Sequence, residues 1–367
     1  IFILYSIFLS LFTIFSYAYV DPGLFYLKNI YSGLAFDNRF LTTVFYVSFI
    51  LTFFIFYGIF IWLGIRKRLN TKDTFLLLGI TVGVLLFSYP AMLSYDIFNY
   101  IATSKVLFFY HENPYIIMPI EFTNDPLLSF THAANKIALY GPSWILLTGI
   151  PHFAGFNNFI LTLFSFKLFI VLFYLATVFL IWKMSRNVIS VYLFALNPLV
   201  VIETLISSHN DMVMIFFVLL SIFLLMKKKI FIASISLFFS ILIKYATMLL
   251  IPIFLYALWK IIKGEEINWK SIFYLSSLLM FVGFLLSPIR EEIYPWYAIW
   301  YLPFVFLNLD KKLLVNVYLL FSFSLLLRYT PYMLTGTYGG QTPVLKEAIS
   351  FILPVLYSIY HVLKKKI

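Results

Sequence analysis

Long apolar runs separated by short basic clusters set the pattern of this chain. FLLLGITVGVLLFSYPAML (75–93) is typical of the runs, and RKRLNTK (66–72), KMSR (183–186), KKK (227–229), KIIK (260–263), DKK (310–312) and KKK (364–366) are the clusters. Runs of roughly 18 or more apolar residues predict membrane-crossing helices, and clustered Lys and Arg predict the cytoplasmic turns between them. With every cluster inside, residues 1–20 cross outward, 21–40 form an outer loop, 41–65 return and 75–94 cross outward again. Residues 95–143 then form a long outer segment, too polar to span, with apolar stretches expected to lie as helices on the membrane surface.

Two apolar stretches follow, 144–155 and 159–182. Two full crossings there would leave Lys183 and Arg186 outside, so one stretch is expected to be re-entrant or interfacial. Alternation then resumes through 188–207, 212–226, 230–243, 246–262, 271–288, 296–309, 313–329 and 344–363. The expected fold is an all-α, polytopic transmembrane bundle of about 11 to 13 spans. It forms a single integral membrane domain over 1–367, without a separate soluble domain. The run 230–243 would be only about 21 Å long, which places Lys244 below the outer surface, facing a cavity.

Composition agrees with this pattern. Of 367 residues, 63% are hydrophobic and only 11% charged, too few charges for the surface of a soluble domain. The net charge of +11 resides largely in the inter-helical clusters, which argues for membrane orientation and against nucleic acid. No cysteine is present, so disulfides, thiolate metal sites and a thiol nucleophile are excluded. Ile1 stands first, and the expectation is that the natural start lies upstream. The opening run lacks the charged flank and cleavage site of a removed signal peptide. All seven tryptophans fall near segment ends, as an interfacial belt predicts. For Trp144 and Trp296, beside outer polar residues, stacking on a sugar is the sharper alternative.

The remaining ionisable residues gather on the outer side. Asp96, Lys105, His111, Glu112, Glu121, Asp125 and His132 lie in the long loop. Glu203, His209 and Asp211 lie near the outward end of 188–207, Arg290, Glu291 and Glu292 before PWYAIW, and Arg328 before TPYMLTGTYGGQTP. A charge at a helix centre costs about 2.5–3.5 kcal/mol on insertion scales, and less at a helix mouth, where Asp96 is expected. A carboxylate there can take a proton from an attacking hydroxyl, and cations can stabilise a departing phosphate. SSHND (207–211) forms a polar cap between two spans, in which Asn210 and Asp211 are also open to a helix-capping role. His209 and Asp211 are too few to define a metal site, and no metal or other cofactor is expected. The chain has no DxD, Gly-rich phosphate loop or HExxH motif.

YDIFNYIATSKVLFFYHENPY, ALYGPSW, SSHNDMVMIFFVLL, ILIKYATMLLIP and YPWYAIWYLP occur in this order between about residues 90 and 305. Together they resemble the glycosyltransferase C superfamily, and within it the polyprenol-phosphomannose-dependent α-mannosyltransferases of bacterial lipomannan assembly. The chain departs from that pattern at His111-Glu112, where related sequences often carry Gly. The resemblance implies Asp96 as the catalytic base, with the family's HND element at His209, Asn210 and Asp211, its hairpin Lys at Lys244 and its PWY element at Pro295, Trp296 and Tyr297.

The combined expectation is an inverting hexosyltransferase in the plasma membrane, acting at the extracytoplasmic face. It would move a hexose, with mannose favoured, from a polyprenyl phosphate to a glycan or glycolipid hydroxyl. Lys244 and Arg290, and more weakly Arg328, would hold the donor phosphate. His209 and Asp211 would orient sugar or acceptor, and Tyr140 and Trp144 would shape the pocket. A transporter or flippase of lipid-linked sugars, or a polysaccharide polymerase or ligase, is the alternative. The acids concentrated at the outer ends count against a transporter.

Overall fold

The computed structural model describes residues 1–19, 35, 37–289 and 292–364, and these contain helices and turns but no strand. In chain order the helices are α1 (Phe2–Ser16), α2 (Arg39–Ile65), α3 (Thr71–Leu85), α4 (Asp96–Phe108), α5 (Pro142–Leu147), α6 (Gly149–Ala154), α7 (Phe159–Ser185), α8 (Val188–Ala195) and α9 (Pro198–Val201). They continue as α10 (Asp211–Met226), α11 (Ile230–Ile241), α12 (Ile251–Ile262), α13 (Trp269–Leu286), α14 (Leu302–Phe306), α15 (Lys312–Leu327), α16 (Thr330–Thr335) and α17 (Thr342–Lys364). The outer loop expected at 21–40 lies largely outside the described residues.

Among the described residues seven helical segments are long and apolar enough to cross a membrane, and an eighth candidate is a pair bent by 57°, Val188–Ala195 with Pro198–Ile206. This is a multi-pass membrane protein. The remaining expected spans, 75–94, 212–226, 230–243 and 296–309, are short or broken helices. The last is a 3₁₀ turn (Pro295–Trp300) followed by α14, and α14 is buried along its whole length. Irregular backbone at membrane depth is tolerated only where protein surrounds it, and 296–309 meets that condition. Asp310 at its far end pairs with Lys270 at the start of α13 (2.6 Å), so the segment returns to the end of the bundle where α13 began.

Several contacts sort the two ends of the bundle. Thr74 at the start of α3 bonds Tyr192 of α8 (2.6 Å), which sets 66–72 beside the start of α8 just after 183–186. At the other end Arg39 donates to the Met333 carbonyl (3.4 Å), and Lys346 pairs with Glu292. The stretch expected to be re-entrant resolves into α5 and α6, too short to cross, and α7 then spans 27 residues to the 183–186 cluster.

Local chemistry explains the breaks. Asn70 and Asp73 form a reciprocal capping box that starts α3 (2.9 and 2.8 Å), worth about 1 kcal/mol. α3 ends against a buried lysine of α7: Lys167 Nζ donates to the carbonyls of Leu85 and Ser88 and to Ser88 Oγ, satisfying carbonyls that a helix end leaves open. Between α8 and α9, Pro198 cannot donate a backbone hydrogen bond, and Asn197 Oδ1 accepts from Leu199 N (3.0 Å) to restart the helix.

Candidate active site

The bend at Asn197-Pro198 aims a π-helical turn, Ile202–Ile206, at the end of the bundle away from the basic clusters. Ser208 then takes a left-handed conformation (φ 57°), and the His209 amide returns to the Glu203 carbonyl (3.1 Å). This tight reversal brings His209 back over Glu203. Ser207, Ser208, His209, Asn210 and Asp211 are all buried. Such π turns recur at functional sites, and this one carries a carboxylate into the interior.

Asp96 opens α4, where the positive end of the helix dipole favours a carboxylate. Its Oδ2 lies 3.3 Å from His209 Nδ1, and His209 Nε2 lies 3.3 Å from Glu203 Oε2. Tyr329 donates to the other Glu203 oxygen (2.8 Å). The imidazole stacks on Trp296 (4.0 Å between centroids), and Trp296 stacks on Tyr294 (4.4 Å). Burial works against the charge on Asp96, but the imidazole of His209, with Lys244 and Asn99, outweighs it and holds the carboxyl below its usual value. Burial likewise opposes a charged His209, but Asp96 and Glu203 outweigh it and push the imidazole up to about 9.

A second pair adjoins the first. Lys244 donates to both oxygens of Asp211 (2.9 and 3.0 Å), and Trp300 Nε1 donates to Oδ1. The Lys244 ammonium also lies 4.8 Å from the Tyr297 ring centroid, a cation–π distance. Lys244 sits in an extended kink after α11, fastened from outside: Gly141 N and Ser143 N donate to the carbonyls of Ile243 and Leu242 (3.2 and 3.1 Å). The outer segment therefore positions Lys244 through backbone bonds.

The side chains of Glu203 and Asp211 are 0% exposed, whereas that of Asp96 is 27% and that of Lys244 26% exposed. Asp96 and Lys244 are thus the parts of this charged cluster that a bound molecule can reach. The Asn210 side chain is fully buried, with no hydrogen-bond partner among the described residues, and its backbone N–H donates to Tyr100 (3.2 Å). Tyr100 in turn meets the rings of Tyr140 (4.8 Å) and Trp144 (5.0 Å). Trp144 is 1% exposed, so it supports the site from behind and has no face open to a sugar. Beside α4 a small recess is lined by polar Asn99, Thr103, Thr131, Lys136 and Tyr140 and by apolar Ile137 and Leu139, among others.

The structure thus brings Asp96, His209, Asn210, Asp211, Lys244, Trp296, Tyr140 and Trp144 to one end of the bundle. Arg290 lies outside the described residues. Three partners were missed as site residues in the sequence: Trp300, Lys346 and Tyr329. Trp300 stood in view within PWYAIW, three to five residues beyond the PWY element. Lys346 pairs with Glu292 (2.8 Å), which buried Arg328 also approaches (3.8 Å). Among the described residues no group of three or more His, Asp or Glu is arranged to hold a metal ion.

The model of the MptA_B family, described as alpha-(1→6)-mannopyranosyltransferase, N-terminal domain, matches residues 27–260. No curated protein and no solved structure matches the chain.

Proposed function

The chain belongs to the MptA_B family of α-(1→6)-mannopyranosyltransferases, and we propose that it transfers mannose from a polyprenyl phosphate to a glycan or glycolipid hydroxyl, with inversion, at the extracytoplasmic face. The observation that carries the site assignment is the exposure of Asp96, the one reachable carboxylate in a charged cluster whose other acids, Glu203 and Asp211, are buried. In this reading the acceptor hydroxyl attacks the anomeric carbon and gives its proton to Asp96, while the bond to the phosphate oxygen breaks and its electron pair leaves with the lipid phosphate. A weakly basic carboxylate suits this step, because the hydroxyl becomes acidic only as it bonds an oxocarbenium-like carbon.

Lys244, held by Asp211 and open to a ligand on its other side, would meet the developing phosphate charge. Arg328 and Lys346 are buried around Glu292, so they serve to hold that carboxylate and are not open to the lipid phosphate. His209 and Asp211 have no exposed surface, so they act on Asp96 and Lys244 and not directly on sugar.

The test is label transfer from radiolabelled polyprenyl-phosphate-mannose in vesicles, with wild type beside Asp96→Asn. Removing a general base costs about 10²–10⁴ in rate, so a folded Asp96→Asn is expected to fall by that factor. Equal transfer by both proteins would move the base elsewhere. Transport of labelled lipid without transfer to an acceptor would favour a flippase.

A further inference from the structure

Glu203 is a fully buried carboxylate on a π-helical turn that also touches Asp96's partner, His209. Neither the resemblance nor the reaction scheme gives it a task. Among the described residues His209 is the only basic side chain within ion-pair distance of it. A buried carboxylate without a cationic partner costs several kcal/mol, so this one needs the proton that His209 can carry. An imidazole within 3.3 Å, an ion-pair distance, of a carboxylate at each ring nitrogen presents an N–H to both only as the imidazolium. Stacking on Trp296 fixes the ring plane, and Tyr329 fixes the far oxygen of Glu203.

We propose that Glu203 is a positioning residue for the transfer reaction: through His209 it holds the ring charged and fixed against Asp96, keeping that carboxylate ionised and turned to receive the acceptor proton. The inference rests on the transferase reading above. It gives the buried carboxylate a function. In this arrangement Asp96 faces a cation on its inner side and the substrate on its outer side. Other groups around the line do not replace Glu203. Lys244 is engaged with Asp211, while Tyr100, Tyr46 and Tyr329 are neutral hydroxyls on the neighbouring elements.

The experiment uses the full chain in detergent or lipid nanodiscs and reads two quantities. One is the pH profile of mannose transfer. The other is the titration of His209 by nitrogen NMR of ¹⁵N-histidine protein, assigned by its loss in His209→Asn. In wild type the imidazolium is expected to persist through neutral pH. In Glu203→Gln, which keeps the side chain's shape, the titration of His209 and the matching break in the rate profile should both fall by about one pH unit or more. Glu203→Asp keeps the charge but withdraws it by one methylene, so its break should lie between the two. Glu203→Asp also serves if the Gln variant does not fold.

A His209 titration unmoved by either substitution overturns the proposal, even if the variants melt at lower temperature, because loss of packing alone does not move a titration. If wild type transfers no sugar from any polyprenyl phosphate, the transferase reading has failed. The NMR titration then still decides whether Glu203 holds the charge on His209.

Discussion

His209 has a carboxylate 3.3 Å from each ring nitrogen, which favours the charged imidazole, and the imidazole in turn favours the charged form of Asp96. The ring's proton affinity is raised from the ordinary 6.5 to about 9 in the folded protein, so its stabilising contribution is complete below 6.5 and is lost as pH rises through about 9. Asp96 is shifted the other way, below 3.8, so its contribution is present above that value and is lost as pH falls toward the lowered one. The difference in melting temperature between wild type and His209→Asn should therefore be constant from about pH 5 to 6.5 and shrink as the pH approaches 9. A difference that stays constant to pH 10 would mean that the ring is neutral in the folded protein. The roles of these residues were unequally legible. Asp96 and the HND run stood out as polar groups next to apolar spans. Glu203 looked like an awkward acid in a span, because its partner lies on the far side of a turn whose π geometry a hydrophobicity pattern does not encode.

Two breaks in helical structure place the site, and both depend on particular residues. At Asn197-Pro198 the chain bends by 57°, which delivers Glu203 and His209 to the α4 mouth. At the other break, Gly141 docks on the kink after α11. A Cβ on Gly141 would lie 2.1 Å from the Leu242 carbonyl oxygen and 2.8 Å from its carbon. Those are backbone atoms, so nothing flexible can move aside. Gly141→Ala should push the outer segment away from the kink, destabilising the fold by about 1–3 kcal/mol as overpacking does. It should also lower transfer, because Lys244 loses its backing. Gly339→Ala, with only Thr337 Oγ1 near its Cβ (3.7 Å), is the control expected to leave melting unchanged. Equal melting and transfer in the two variants would show that the outer segment does not support Lys244. The docking partner of Gly141, about a hundred residues later in the chain, was not legible in the sequence.

Among the described residues the basic clusters between helices lie at the end of the bundle away from Asp96. The clusters at 66–72, 183–186, 227–229, 260–263 and 310–312 alternate along the chain with Asp96, His209, Lys244, Trp296 and Arg328. Hydrophobicity and Lys/Arg placement were enough to predict this alternation. They were not enough to predict which traverses are continuous helices, because a segment buried on all sides by protein, such as 296–309, can cross as broken backbone without meeting lipid. The positive-inside rule predicts that the basic end is cytoplasmic, and the proposed transfer at the outer face requires that orientation. The absence of cysteine makes this testable without a background to remove. Glu112→Cys and Gln341→Cys place thiols at exposed positions at the site end, and Lys229→Cys and Glu265→Cys at exposed positions at the basic end. A membrane-impermeant maleimide should label the first two in intact cells and the second two only after permeabilisation. The reverse pattern would put Asp96 on the cytoplasmic side and remove the reason for a donor presented at the outer face. Labelling of all four in intact cells would mean that the two ends do not lie on opposite sides of a bilayer, and the twofold charge segregation would then need another cause.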